Sequence, residues 1–128
     1  GLRKILNAGH TIGHAIETFL LNENRKVMHG DAIAAGLIAE GWLSVKRDLL
    51  SPANFEEIRS YIIRIFGKIG LRDSDVDPIA RLAVQDKKNK GNKILSVLFE
   101  DIGRPRYDCE ISVEEVKQAL LFYRTIQM

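Results

Sequence analysis

Three histidines, His10, His14 and His29, fall within one short stretch, and the chain has no others. Wound as a helix at about 100° per residue, Arg3, Asn7, His10, His14 and Glu17 share one stripe, because they step by four, three, four and three. Ile5, Ala8, Ile12, Ala15, Ile16 and Phe19 share the opposite stripe. The apolar back must be packed. The front carries hydrogen-bonding and titratable groups instead of the Lys and Glu of an ordinary solvated face. Two imidazoles one turn apart can reach one metal ion or one anionic ligand. The plainer alternative is a helix pair whose histidines are satisfied by hydrogen bonds. Three imidazoles, with Asn and Arg on the same stripe, weigh against it.

The elements that position these groups follow from the patterning. Helix 1 is expected from about Arg3 or Asn7 to about Leu21, with Asn7 either its N-cap or a member of the front. Gly9 and Gly13, one turn apart, cost roughly 1 kcal/mol each against Ala in a helix interior. Such a cost points to close approach by a neighbouring helix or a ligand. A polar break, Asn22 to Lys26, lets the chain reverse, and His29 enters a second helix that can lie beside the first. Helix 2 is expected from about Asp31 to Lys46, with Asp31 suited by charge to its first turn. Between Ala32 and Leu43 the only charge is Glu40, so the helix is buried on most sides. It is too short to span a bilayer. Glu40 is read as a satisfied buried acid, with a helper role at the site as the alternative.

Ser51-Pro52 opens a third helix with Ser as N-cap. Its apolar face is Phe55, Ile58, Ile62, Ile65 and Phe66, and it ends near Gly67 to Gly70. Asp77-Pro78 should open a fourth in the same way, with Ile79, Leu82 and Ala83 inward. Asp86 to Lys93 is a lysine-rich loop, either solvated surface charge or a binding element. Ile94 to Phe99 is a β-type run, and Arg106 to Ile111 can pair with it across a turn holding Gly103 and Pro105. Ser112-Val113-Glu114-Glu115 is a capping box before a last helix that buries Val116, Ala119, Leu120 and Tyr123. The expected fold class is mainly α, a compact helical domain with a short β-hairpin, spanning residues 1–128.

With 128 residues, 45 % hydrophobic and 28 % charged, the chain has material for one domain with a real core. A net charge of +2 gives no case for nucleic acid or an anionic membrane. The lone Cys109 excludes an internal disulfide and fits a reducing, cytoplasmic compartment. No apolar run is long enough for a transmembrane helix. Gly1 is not a natural initiator, and Leu2-Arg3-Lys4 runs straight into the functional stripe. The expectation is a piece cut from a longer chain, with a processed terminus as the alternative.

Three segments carry a resemblance. Arg3-Lys4-Ile5-Leu6-Asn7-Ala8-Gly9-His10-Thr11-Ile12-Gly13-His14-Ala15-Ile16-Glu17 resembles the R-x-x-L-N-F-G-H-T-x-G-H-A-x-E segment of the 3-dehydroquinate synthase family. Met28-His29-Gly30-Asp31-Ala32-Ile33-Ala34-Ala35-Gly36 resembles its L-H-G-E-A-V-A-x-G. Asp86-Lys87-Lys88-Asn89 is similar to its D-K-K loop, and Leu95 to Gly103 to the strand and turn that follow. Ala8 departs from the usual Phe and Asp31 from the usual Glu; Asp31 keeps the charge on a shorter arm and is not taken as a site residue. The resemblance implies the C-terminal, metal-binding half of the enzyme, with the N-terminal NAD-binding domain absent from this chain. No G-x-G-x-x-G loop follows a strand here, so no cofactor-binding residue is assigned.

The family's reaction, as the resemblance implies, converts the seven-carbon keto-sugar-acid phosphate DAHP into 3-dehydroquinate in the shikimate pathway. NAD⁺ transiently oxidises one hydroxyl, the acidified neighbour loses its proton, phosphate is eliminated and the ketone is reduced again. A divalent metal, Zn²⁺ first and Co²⁺ next, polarises the oxygen being oxidised. The resemblance implies His10 and His29 as metal ligands, with a third, a glutamate, supplied by the N-terminal domain. It implies Arg3, Asn7, His14 and Lys87 or Lys88 as substrate-binding residues, with His14, Lys87 and Lys88 carrying catalysis. Cations and an imidazole suit a dianionic phosphate leaving group. Glu17 is read as orienting a histidine. The partners expected are DAHP, the NAD-binding domain and, for the full-length protein, a second copy in a homodimer, with no nucleic acid and no membrane. The rivals are another sugar-phosphate cyclase, such as a 2-deoxy-scyllo-inosose synthase or a valiolone-type cyclase, the iron-dependent alcohol or glycerol dehydrogenases, and a non-enzymatic helical module whose lysine loop is a docking patch.

Overall fold

The computed structural model describes residues 10–85, 94–101 and 104–127. Five helices and one hairpin follow in order among them: α1 (Thr11–Asn22), α2 (His29–Lys46), α3 (Pro52–Phe66), a 3-10 turn (Asp73–Asp75) running into α4 (Val76–Gln85), β1 (Ile94–Glu100), β2 (Arg104–Ile111) and α5 (Val113–Thr125). The expected mainly helical class with a short hairpin is the observed one. Among the described residues no helix is long and apolar enough to cross a membrane.

α2 is the central element. Every residue from Ala32 to Ser44 except Trp42 is buried, as its lack of a polar face requires. α1 lies against it through Ile12, Ala15, Ile16 and Leu20, all buried. The approach is backbone to backbone. A methyl group on Gly36 would sit 2.5 Å from the Gly13 nitrogen and 2.7 Å from its Cα, and one on Gly13 would sit 2.9 Å from Ile33 Cα. The cost that Gly13 imposes on α1 is therefore offset by a neighbouring helix rather than by a ligand.

The hairpin is antiparallel, pairing Ile94 with Ile111 and Glu100 with Arg104, with an irregularity between Ser96 and Leu98. Its inner strand β1 is tied to the helices by polar bonds. Thr11 Oγ1 donates to the Leu95 carbonyl at 2.8 Å. Ser96 Oγ donates to Glu40 Oε2 at 2.8 Å. Ser44 Oγ accepts from the Phe99 N–H at 2.9 Å while donating to the Glu40 carbonyl at 2.7 Å. Glu40 is the satisfied buried acid of the two readings. Its carboxyl faces the core beside Ser96 and is only 1 % exposed.

Several boundaries differ from the sequence expectation. α1 begins at Thr11, and the residue at its N-cap is His10, not Asn7; residues 1–9 lie outside the described set. α2 begins at His29, two residues before Asp31. α4 opens at Val76 rather than at Asp77-Pro78, because the Arg72 N–H donates to Asp75 Oδ2 at 2.8 Å and winds the preceding turn. Asp77 instead sits in the first turn, paired with Arg81 and Lys117. Leu82 is half-buried rather than fully inward. Ile65 is 57 % exposed, since at 100° per residue it falls roughly 60° from the middle of the α3 stripe. The Ser51 cap of α3, its end at Gly67 (φ 74) and the Ser112–Glu115 capping box are as expected.

Two measurements test this packing. Gly36→Ala should destabilise the fold by about 1–3 kcal/mol in denaturant unfolding, although the same change at an exposed helix position gains about 1 kcal/mol. A stabilised variant would contradict the backbone contact.

Burial pushes the Glu40 carboxyl up to about 8 from 4.5, against the opposing pull of the Ser96 hydrogen bond. A raised folded pKa means that the native chain holds a proton which the unfolded chain has lost. Its stability contribution is full below pH 4.5 and is lost as pH rises towards 8, at up to about 1.4 kcal/mol per pH unit. Unfolding followed by fluorescence of Trp42, which stacks on Phe122, should show this slope. Glu40→Gln should remove it, and equal slopes in both proteins would contradict the assignment.

Candidate functional site

The Gly13–Gly36 crossing brings the start of α1 beside the start of α2, and with them all three histidines. His10 is half-buried at the α1 N-cap. His14 follows one turn on, its N–H closing the first helical hydrogen bond to the His10 carbonyl at 2.8 Å. The two rings lie 6.1 Å apart between centroids at 64°. His29, the first residue of α2, places its ring 6.1 Å from that of His14 at 37°. The imidazoles thus form one cluster, the row of the helix starts, in which His14 contacts both of the others. Behind the row, Glu17 Oε1 accepts from His29 Nδ1 at 2.9 Å. Glu17, expected to orient a histidine, holds that of α2 rather than one on its own helix.

The row borders an open groove of about 480 Å³ between α1 and the C-terminal end of α4, lined by Thr11, His14, Ala15, Glu17, Thr18, Leu82 and Gln85. His14 is exposed into it and the His29 side chain is 63 % exposed. This is a wall with its chemistry on the surface. Thr11, Thr18, Leu82 and Gln85 are not among the site residues expected from the sequence, where Leu82 is read only as an inward residue. Thr11, Ala15 and Thr18 do recur at helical spacing beside the front stripe, and that flank was the available signal. Nothing in the sequence pairs α4 with α1.

Of the other expected site residues, Arg3, Asn7, Lys87 and Lys88 lie outside the described residues. The segments that flank the lysine loop do not. Gln85 lines the groove with His14, and Leu95, one residue into β1, is bonded to Thr11. The described residues on either side, Gln85 and Leu95, therefore both meet α1.

The donor chemistry fits a divalent transition metal, for which imidazole is a suitable ligand. A carboxylate behind one ring is what such a ligand commonly has. Among the described residues no group of three or more His, Cys, Asp or Glu side chains is placed to hold an ion. The imidazoles and the carboxylate present fit part of such a metal site. Asp31 lies apart, lining a second groove with Lys68 and Ile69.

The fold is shared with solved structures of 2-deoxy-scyllo-inosose synthase. One, complexed with carbaglucose-6-phosphate, NAD⁺ and Co²⁺, superposes with a TM-score of 0.71 at 24 % identity over 88 % of this chain and 33 % of that one. A second gives 0.68 at 22 % identity over 90 % of this chain and 31 % of that one. In sequence the chain is similar to curated 3-dehydroquinate synthases. It is 35 % identical to that of Parabacteroides distasonis over 97 % of this chain and 35 % of the relative. It is 40 % identical to that of Thermodesulfovibrio yellowstonii over 93 % and 33 %, and 41 % identical to that of Corynebacterium jeikeium over 81 % and 27 %. The chain spans about a third of the length of these relatives. Residues 1–89, which contain every histidine of the row, match the model described as 3-dehydroquinate synthase C-terminal, and the chain belongs to that family.

Proposed function

We propose that this chain is the substrate- and metal-binding half of a 3-dehydroquinate synthase, which converts DAHP to 3-dehydroquinate with release of phosphate in the shikimate pathway. The observation that carries the reading is the row of His10, His14 and His29, drawn from two separate motifs onto one exposed face. On this reading His10 and His29 hold a divalent metal together with a carboxylate from the NAD-binding domain. When bound, the metal supplies Lewis-acid polarisation of a substrate oxygen and NAD⁺ a reversible hydride acceptor.

The chain's own residues then bind and orient the substrate. His14, beside both other rings and open to the groove, offers a ring nitrogen to the substrate phosphate and to the proton that moves with it. The resemblance assigns Arg3, Asn7 and Lys87 or Lys88 to the same substrate, as cations and an amide around its phosphate. Support comes from Gln85, which precedes Lys87 by two residues in sequence and itself lines the groove. Positive groups around a leaving phosphate stabilise the charge that collects there as the bond breaks.

The two solved structures compared above are 2-deoxy-scyllo-inosose synthases, and a second reading is a cyclase acting on a hexose phosphate. The higher identity to 3-dehydroquinate synthases over nearly the whole chain favours the first.

A phosphate-release assay with NAD⁺ and Zn²⁺ tests the proposal. The 128-residue chain alone should fold, bind Zn²⁺ weakly or not at all, and show no turnover. Well-ordered reactants can gain roughly 7–11 kcal/mol from proximity, and one wall of a cleft cannot supply it. Joined to the NAD-binding two-thirds of a relative, it should release phosphate from DAHP and not from glucose-6-phosphate. In that assembly His10→Ala or His29→Ala should remove metal and activity together. His14→Ala should leave metal content unchanged and cut kcat/KM by about 10²–10⁴. Steady turnover by the chain alone, or a full metal complement in an active His29→Ala protein, would overturn the assignment.

A further inference from the structure

The bond between Glu17 and His29 has a consequence for which nitrogen of His29 is available to a ligand. An ionised carboxylate has only acceptor positions, so a 2.9 Å contact between Glu17 Oε1 and His29 Nδ1 requires the proton to sit on Nδ1. In a neutral imidazole the other nitrogen is then the acceptor. We infer that Glu17 is a positioning residue that holds His29 as its Nδ1–H tautomer, leaving the lone pair at Nε2. This rests on the reading of His29 as a metal ligand and deepens it by naming the ligating atom.

The geometry supports a dedicated role for Glu17. Its side chain is 23 % exposed, while that of its partner is 63 % exposed. A surface imidazole at the start of a helix is otherwise free to turn about two torsions. His29 is anchored from α1, so the same crossing that brings the helices together also fixes the ring. Within the cluster, His10 is therefore set by a main-chain helix start and His29 by a carboxylate. Free histidine favours the opposite tautomer, with the proton on Nε2, so the lock has a distinct signature without any metal present.

The test is a multiple-bond ¹H–¹⁵N spectrum of the labelled chain in its metal-free form, at a pH where the imidazoles are neutral. His29 should show a protonated Nδ1 and an unprotonated Nε2 as its majority form. Glu17→Ala, within a helix where Ala is well tolerated, should reverse that majority. The intact chain decides the matter even if the variant does not fold: a majority of Nε2–H at His29 overturns the inference. So does an unchanged tautomer in folded Glu17→Ala. Failure of the wider reading is separate. An assembled enzyme that keeps its metal after His29→Ala removes the metal role and leaves the Glu17 lock standing.

Discussion

Between Gly13 and Gly36 there is no room for a side chain. The two backbones meet at a distance that a single methyl would violate, and the position of every histidine follows from that contact. His10 and His14 flank Gly13 on α1, and His29 lies two turns before Gly36 on α2. Wider separation of the helices would draw His29 away from His14 and break its bond to Glu17. Close packing of helices through small residues is a familiar way to bring backbones together. Here it sets the spacing of a functional surface.

The rest of the fold holds that crossing in place. α2 is buried nearly all round, so it cannot shift without disturbing α3, α5 and β1 together. β1 is bonded to α1 through Thr11 and to α2 through Glu40 and Ser44. Buried polar groups are costly when unpaired. These bonds therefore fix the register of the hairpin against the helices more sharply than its apolar contacts would. The outcome is a support behind a polar surface on which His14 and His29 are exposed and His10 is half-buried.

Much of this was legible in the chain because it was written in local rules. Periodicity placed the helices, Ser51 and Ser112 marked two of their starts, and unbroken apolarity identified α2 as the buried element. The cost of Gly13 signalled a close approach, although the sequence alone did not say whether helix or ligand would make it. What was not legible depends on contacts distant in sequence. Arg72 and Asp75 wind a turn that starts α4 early, and no pattern at Asp77-Pro78 reveals it. Gln85 and Leu82 reach the groove only because α4 packs on α1. The partner of Glu17 on the other helix needed the crossing geometry, since a helical stripe relates a residue only to its own neighbours.

The proposed function makes His10 and His29, brought together by the crossing, two ligands of one metal ion. X-ray absorption at the metal edge of the assembled enzyme tests it most directly. The account predicts two imidazole nitrogens at about 2.0–2.1 Å, with oxygen donors completing the shell, and loss of one imidazole in His29→Ala. An imidazole count unchanged by that substitution would contradict it.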